Sequence, residues 1–262
     1  MGRPGGAGDR RGMSGWPNLP DLIVLLVAEP TLVVAYVVFG MVGFGTTLVS
    51  APILAHVLPL STVVPALALT DLIASCANGF RLGAHVERKE VLRLVPAMVM
   101  GSALGAWLLF SVPVRTLMLL LGIFVVLYAL NGLRPKAPQP PLAAGWAWWF
   151  GGAGGVLSAL FGAGGWVYSM YLVRRLADPQ QIRATQSAVL TVSSTIRVVL
   201  FLAAGTYFNQ SLLLLALALL PAMALGLFIG QRITLRMDRK RFLQVLYGVL
   251  LLTGGSLLLR AA

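Results

Sequence analysis

Charged residues are scarce in this chain: they make up 11% of its 262 residues, whereas soluble domains carry about 25%. Hydrophobic residues account for 58% of the sequence, and the mean hydropathy is +0.87. This composition excludes a water-soluble globular domain. The apolar runs are much longer than the alternating segments of about 10 residues that form a transmembrane barrel. We therefore predict an all-α polytopic membrane protein, because helices satisfy their own backbone hydrogen bonds in lipid.

Cysteine and histidine are almost absent, with one cysteine and two histidines in the whole chain. The single cysteine, Cys76, excludes an internal disulfide. Because metal-ligating residues are few and scattered, we predict no metal site. The sequence also contains no Walker A motif for nucleotide phosphates. We expect no cofactor and no ATP hydrolysis by this chain.

Acidic residues are outnumbered, with 8 against 20 basic residues and a net charge of +12. The basic residues cluster between hydrophobic runs and form no stripe on a soluble face. This pattern is typical of membrane topology and not of nucleic-acid binding. The expected partners are the lipid bilayer and a small substrate, with no nucleic acid, and the pattern leaves the oligomeric state open. The polar first 20 residues are predicted to be a disordered tail.

Two hydrophobic stretches are interrupted by glycines 119 residues apart, at Gly43-Phe44-Gly45 and at Gly162-Ala163-Gly164-Gly165. Glycine inside a helix costs about 1 kcal/mol relative to alanine. A break repeated in both halves of a membrane protein points to a substrate site. The alternative is that these glycines only allow helices to pack closely.

The two halves of the chain also share a proline followed by two glycines at the same spacing, namely Pro96, Gly101 and Gly105, then Pro221, Gly226 and Gly230. We predict a single membrane domain made of a first repeat (21–133), a proline-rich linker (134–143) and a second repeat (144–262). The tail (1–20) precedes them.

Equivalent loops of the two repeats carry opposite charge. Basic residues gather in the second loop of the first repeat (81–93), but in the first and third loops of the second repeat (174–183 and 232–241). By the positive-inside rule, the repeats are predicted to have inverted topology. Inversion needs an odd number of full crossings. Each broken segment is therefore predicted to be a re-entrant hairpin, or a pair of short helices, beside three transmembrane helices. An interfacial helix (22–28) is expected to end at Glu29-Pro30.

The helix that follows each glycine turn would begin inside the membrane, where its free N–H groups and positive dipole end favour an anion. Thr46 and Thr47 add hydroxyl donors, and a polar seam follows in the second repeat. Arg197 lies in mid-membrane and is a candidate anion ligand. The predicted substrate-binding residues are Gly43, Gly45, Thr46, Thr47, Gly162, Gly164, Gly165, Gln186, Thr191, Ser194 and Arg197.

Asp71 is a second ionisable residue at membrane depth, with Asn78 two turns further along the same run. Such residues are functional candidates by default. One hypothesis is that Asp71 tunes the anion site or carries a coupled proton. The alternative is a structural salt bridge between Asp71 and Arg197.

The whole arrangement resembles the sulfite exporter TauE/SafE family of membrane transporters. That family has a Gly-x-Gly-Gly type of turn followed by apolar residues and a proline. The first copy here is Gly43-Phe44-Gly45-Thr46 with Pro52, so that Thr46 stands where glycine is common. The second copy is Gly162-Ala163-Gly164-Gly165, with Tyr171 at the proline position. The likeness covers roughly residues 31–259. It implies transport of small sulfur-containing or organic anions, such as sulfite, sulfonates or sulfoacetate, by a multi-pass protein of a bacterial inner membrane.

Three functions compete on this sequence. The first is a secondary transporter of a small anion that works by alternating access, with or without a coupled ion. The second is a passive anion channel. The third, an intramembrane enzyme, is poorly supported: Ser158 lacks the setting of a rhomboid nucleophile, and the second half contains no histidine. We predict a transporter with no catalytic residues.

Overall fold

The computed structural model describes residues 22–82, 85–133, 140–233 and 239–261, and within these ranges the regular elements are all helices. The α-helices are α1 (Leu22–Val42), α2 (Thr46–Leu54), α3 (Leu60–Leu82), α4 (Arg88–Ser111), α5 (Val114–Leu133), α6 (Ala147–Phe161), α7 (Gly164–Val173), α8 (Pro179–Ala203), α9 (Gln210–Ala218), α10 (Leu220–Ile233) and α11 (Arg239–Ala261). The predicted tail (1–20), residues 134–139 of the predicted linker and residues 234–238 of the last basic loop lie outside the described ranges.

Among the described residues, 6 stretches are long and apolar enough to cross a membrane. They are Val24–Met41, Leu60–Ala77, Arg88–Ser111, Val114–Leu133, Pro179–Ala203 and Gln210–Arg232. A shorter apolar segment, Leu250–Leu259, belongs to α11. The prediction of an all-α polytopic membrane protein is confirmed.

The start of the first helix differs from the prediction. α1 continues through Pro30 as one helix of 21 residues, so the expected end of an interfacial helix at Glu29-Pro30 is wrong. Next to the proline, the Thr31 hydroxyl donates to the carbonyl of Val27 at 2.6 Å. Leu32 and Tyr36, in the following turns, are completely buried. Tertiary packing of this face therefore outweighs the local preference of proline to end a helix.

The hydrophobic stretch at residues 212–233 is divided at Leu219 into α9 and α10. Pro221 lies at the start of α10, where its missing N–H and its ring disturb the helix of the preceding turn. The chain continues in the same direction, since Met223 donates its backbone N–H to the carbonyl of Leu219 at 3.0 Å. The two helices together form one crossing.

Glycines allow two pairs of helices to approach closely. α10 packs on α1 through Gly226 and Gly230, where an added Cβ would overlap the backbone at Val33 and Val37. α4 packs on α6 in the same way, through Gly101 against Gly152 and Gly105 against Val156. α3 lies against α8, and α5 lies against α11.

The α4–α6 contact makes a matched pair of glycine substitutions informative. Gly101→Ala should lower the midpoint of thermal unfolding, because overpacking a tight contact costs about 1–3 kcal/mol. Gly255→Ala in α11 should leave the unfolding midpoint unchanged or raise it. An added Cβ at Gly255 meets no neighbouring atom within 4 Å, and alanine favours the helix. Thermal unfolding of both purified variants in detergent is the measurement. Equal shifts for the two variants would contradict the close approach at Gly101.

Candidate functional site

The first glycine break joins α1 to α2. Gly43 and Gly45 both have positive φ angles, 87° and 104°, which only glycine adopts readily. α1 ends at this turn, and α2 begins with Thr46 and Thr47, both of which are buried. Their hydroxyl groups donate to the carboxylate of Asp71, from Thr46 at 2.6 Å and from Thr47 at 3.3 Å.

The second glycine break joins α6 to α7 and lies directly against the first. Gly162 has a φ of 63°, and an added Cβ would overlap the side chain of Thr47. An added Cβ at Gly165 would overlap Phe44. The absence of side chains at Gly162 and Gly165 therefore allows the turns from the two halves of the chain to touch.

Asp71 and Arg197 form an ion pair beside these turns, at 3.0 Å between Oδ2 and Nη2. Both side chains are buried, Asp71 with 5% and Arg197 with 3% of its surface exposed. The Tyr36 hydroxyl lies 3.0 Å from Oδ1 of Asp71. The carboxylate is thus surrounded by donors from α1, α2 and α8, as a buried charge requires.

Arg197 still has an unused donor. Its Nη2 also donates to the hydroxyl of Ser194 at 3.1 Å, and its Nη1 donates to the carbonyl of Ser158 at 3.5 Å. Its Nε has no hydrogen-bond partner among the described residues. An unsatisfied donor on a buried cation is costly, about 1–3 kcal/mol or more. Arg197 can therefore donate one further hydrogen bond to an acceptor that enters the site.

A narrow cavity of about 10 Å³ lies between the two turns and the ion pair. This is room for about one water molecule. Its polar lining comes from Thr46, Asp71, Ser75, Ser158, Ser194 and Arg197, and its apolar lining from Phe39, Phe44, Leu48, Ala163, Trp166 and Leu190. Gly45, Gly162 and Gly165 complete the wall.

The structure places the remaining predicted site residues outside this lining. Thr47 contacts Asp71, and Gly164 packs against α6. Thr191 donates back to the carbonyl of Ser187 in its own helix at 3.0 Å. Gln186 is buried and donates from Nε2 to the carbonyl of Gly165 at 2.8 Å, so it stabilises the second turn without lining the cavity. Gly43 belongs to the first turn, whereas the side chain of Asn78, near the end of α3, is outside the described part of the chain.

Several lining residues were missed by the sequence interpretation, among them Ser75, Ser158 and Leu190. Leu190 lies on the same face of α8 as the predicted Ser194 and Arg197, so helical periodicity could have indicated it. Ser158 comes one helical turn before Gly162, and its hydroxyl lies 2.9 Å from that of Ser193. Ser75 gives no local pattern, and neither does Tyr36, which contacts Asp71 without lining the cavity. The positions of both depend on how α1 and α3 rotate against their neighbours.

The helices and the cavity define a class of protein: a polytopic helical membrane protein with a buried, charge-bearing site inside its bundle. Comparison with known proteins gives the family. The family model for the sulfite exporter TauE/SafE matches residues 30–257. The chain belongs to the sulfite exporter TauE/SafE family.

Two named relatives agree with this assignment. The chain is 27% identical over 250 residues to the probable sulfite/organosulfonate exporter TauE of Cupriavidus necator, covering 92% of this chain and 96% of that protein. It is 26% identical over 190 residues to the probable inner membrane transporter protein TsaS of Comamonas testosteroni, covering 72% of this chain and 80% of that protein. No solved structure shows significant similarity to the chain. The protein is a multi-pass protein of the bacterial inner membrane.

Proposed function

We propose that this protein is a secondary transporter that moves a small sulfur oxyanion or organosulfonate across the inner membrane by alternating access. The observation that carries the proposal is the buried Arg197, which lines the narrow cavity and keeps an unpartnered Nε. A guanidinium forms its strongest hydrogen bonds with anionic oxygens. The name of the Cupriavidus necator relative, a probable sulfite/organosulfonate exporter, supports this class of substrate, and the names of both relatives support membrane transport.

The size of the cavity supports alternating access over a passive pore. Its volume of about 10 Å³ is far too small for sulfite or a sulfonate, and its walls are formed by both glycine turns. Binding therefore requires that α2 or α7 move away from the partner turn. A site whose walls must move apart before the ligand can enter favours alternating access over a permanently open pore.

An inverted repeat is supported by the way the helices pair. If α1–α5 correspond in order to α6–α11, with α9 and α10 together matching α4, then α1 against α10 is equivalent to α6 against α4. The pairs α3 with α8 and α5 with α11 map onto themselves. Reciprocal and self-paired contacts of this kind are typical of a two-fold axis. The opposite loop charges support an axis that lies in the membrane plane.

The register of the contacts supports the same repeat. Gly226 meets Val33, and Gly230 meets Val37. The equivalent contacts in the other half are Gly101 with Gly152 and Gly105 with Val156. Each contact in one pair is offset from its counterpart by a constant number of residues, as expected for a duplicated unit.

Asp71 is the proposed carrier of a coupled proton. Its carboxylate accepts hydrogen bonds from Thr46, Tyr36 and Arg197. A bound anion would need the same donors. Two negative charges sharing one guanidinium in so small a buried space repel each other strongly. Uptake of a proton by Asp71 removes that repulsion and leaves Arg197 to the anion. The titratable or charged side chains in contact with Asp71 are Tyr36 from α1 and Arg197 from α8.

Flux into proteoliposomes tests the function directly. We expect the purified protein to accumulate labelled sulfite or methanesulfonate above equilibrium when a pH gradient is imposed, and to equilibrate these anions without one. Protein-free liposomes of the same lipid are the control. Equilibration that ignores the gradient would favour the channel, and no flux of either anion would contradict transport.

A further inference from the structure

A second buried carboxylate lies away from the cavity, at Glu90 in the first turn of α4. Glu90 is 4% exposed and accepts hydrogen bonds from three side chains. These are the Tyr171 hydroxyl at 2.5 Å, Arg93 Nη1 at 2.6 Å and Arg175 Nη2 at 2.8 Å. We call Glu90, Arg93, Tyr171 and Arg175 the Glu90 cluster. The hydrogen bond to Glu90 raises the pKa of Arg175 above its usual value, so this guanidinium is a permanent charge.

The Glu90 cluster holds the far end of the half-helix that begins at the site. α7 starts at Gly164 and Gly165 beside the cavity, and it ends at Val173 between Tyr171 and Arg175. With 10 residues, α7 is about 15 Å long. Arg175 also donates to the carbonyl of Leu142 at 2.9 Å. The position of the second glycine turn therefore depends on contacts made one short helix away.

The apolar surroundings of the Glu90 cluster form a packing unit of their own. Leu94, Met98, Leu142, Tyr168 and Tyr171 belong to a buried cluster that is distinct from the main hydrophobic core. In this smaller cluster, α7 packs against the first half of α4, the start of α6 and the middle of α8. α7 is therefore held by apolar contacts as well as by the Glu90 cluster.

The Glu90 cluster lies on the side of the basic loops, the side that the positive-inside rule assigns to the cytoplasm. Near the opposite end of the bundle, the Tyr207 hydroxyl donates to the carbonyl of Pro65 at 3.0 Å. Glu90 is paired with Arg93 and Arg175, whereas the ion pair between Asp71 and Arg197 lies at the cavity.

We propose that the Glu90 cluster is the gate that closes the anion site on the side of the basic loops. Arg93 and Arg175 are partly exposed, with 42% and 24% of their side-chain surface accessible. Water can therefore replace Glu90 as their partner when the gate opens. The opening frees the end of α7 and lets Gly165, at its other end, withdraw from Phe44. The gate rests on the transport function proposed above, because it needs a site that alternates between two sides.

Access of a reagent to a cysteine in the cavity tests the gate. Cys76, the single cysteine of the chain, is first replaced by serine, and Ser75, a buried lining residue, is replaced by cysteine as the reporter. Inside-out and right-side-out vesicles are then labelled with a membrane-impermeant maleimide. We expect Glu90→Gln to raise the labelling rate about tenfold from the side of the basic loops only, by shifting the population towards the form open to that side.

Two further variants make the test decisive. Glu87→Gln removes the same charge three residues earlier, outside the Glu90 cluster, and should leave labelling unchanged. Tyr171→Phe removes one hydroxyl from the same carboxylate, and should raise labelling on the same side by less, even if Glu90→Gln does not fold. Unchanged labelling in both Glu90→Gln and Tyr171→Phe, or an equal rise from both sides, would overturn the gate. If labelling becomes one-sided but the wild-type protein moves no anion, the gate stands and the proposed substrate transport fails.

Discussion

Replacing Arg197 by glutamine should abolish anion transport and destabilise the protein together. The substitution removes the buried guanidinium that we propose as the anion ligand, and it leaves Asp71 as a buried carboxylate without its ion-pair partner. Breaking one side of a buried pair costs about 3–5 kcal/mol. Uptake by proteoliposomes and thermal unfolding in detergent measure the two effects. Arg197→Lys is the conservative variant, which keeps the charge but loses the planar, forked donor.

A double variant separates the two roles of Arg197. Asp71→Asn combined with Arg197→Gln removes both charges, and it should recover most of the stability lost in Arg197→Gln alone, because no unpaired charge remains buried. It should not recover transport or binding of sulfite. If the double variant transports anions as well as the wild type does, the ion pair is structural and Arg197 is no part of the substrate site.

Asp71→Asn alone should uncouple transport from the pH gradient. Asparagine has nearly the same shape and can accept hydrogen bonds from Thr46 and Arg197, but it cannot take up and release a proton. For a stoichiometry of one proton to one singly charged anion, each pH unit supports an about tenfold concentration ratio. We expect this ratio to fall to about one in the variant, while exchange of labelled for unlabelled anion across the membrane continues.

The matched control for that experiment is Glu87→Gln. This substitution also removes one carboxylate charge, but Glu87 belongs neither to the cavity lining nor to the Glu90 cluster. It should keep the gradient-driven accumulation of the wild type. Accumulation by Asp71→Asn that equals that of the wild type at the same pH gradient would remove Asp71 as the proton carrier. Loss of exchange as well as accumulation would show instead that the carboxylate itself is needed for the site to form.

The parts of the fold visible in the sequence were those set by strong local chemistry. Glycine clusters in apolar runs predicted both chain breaks, and the burial of charge at membrane depth singled out Asp71 and Arg197, which the structure brings to 3.0 Å. Thr191 shows the limit. Its hydroxyl bonds within α8, because a membrane helix offers threonine a partner in its own backbone.

The residues that the sequence did not indicate depend on tertiary packing. Tyr36 reaches Asp71 because α1 continues past Pro30 and is held by the close contact with α10. Tyr171, at a position where the family has proline, is completely buried against Glu90 and lies outside the cavity lining. No local pattern predicts either contact, since each requires the rotation of one helix relative to another.

The contacts of Asp71 also have a consequence for the synthesis of the protein. Arg197 follows Asp71 by 126 residues, which a ribosome adds in roughly 6–25 s at about 5–20 residues per second. During that interval, α3 must remain in the membrane without its cationic partner. Tyr36, Thr46 and Thr47 have by then been made, and their hydroxyls can already contact the carboxyl group of Asp71. The nascent first half thus supplies hydrogen-bond partners for Asp71 before Arg197 is made. Arg197 joins them only when α8 is inserted.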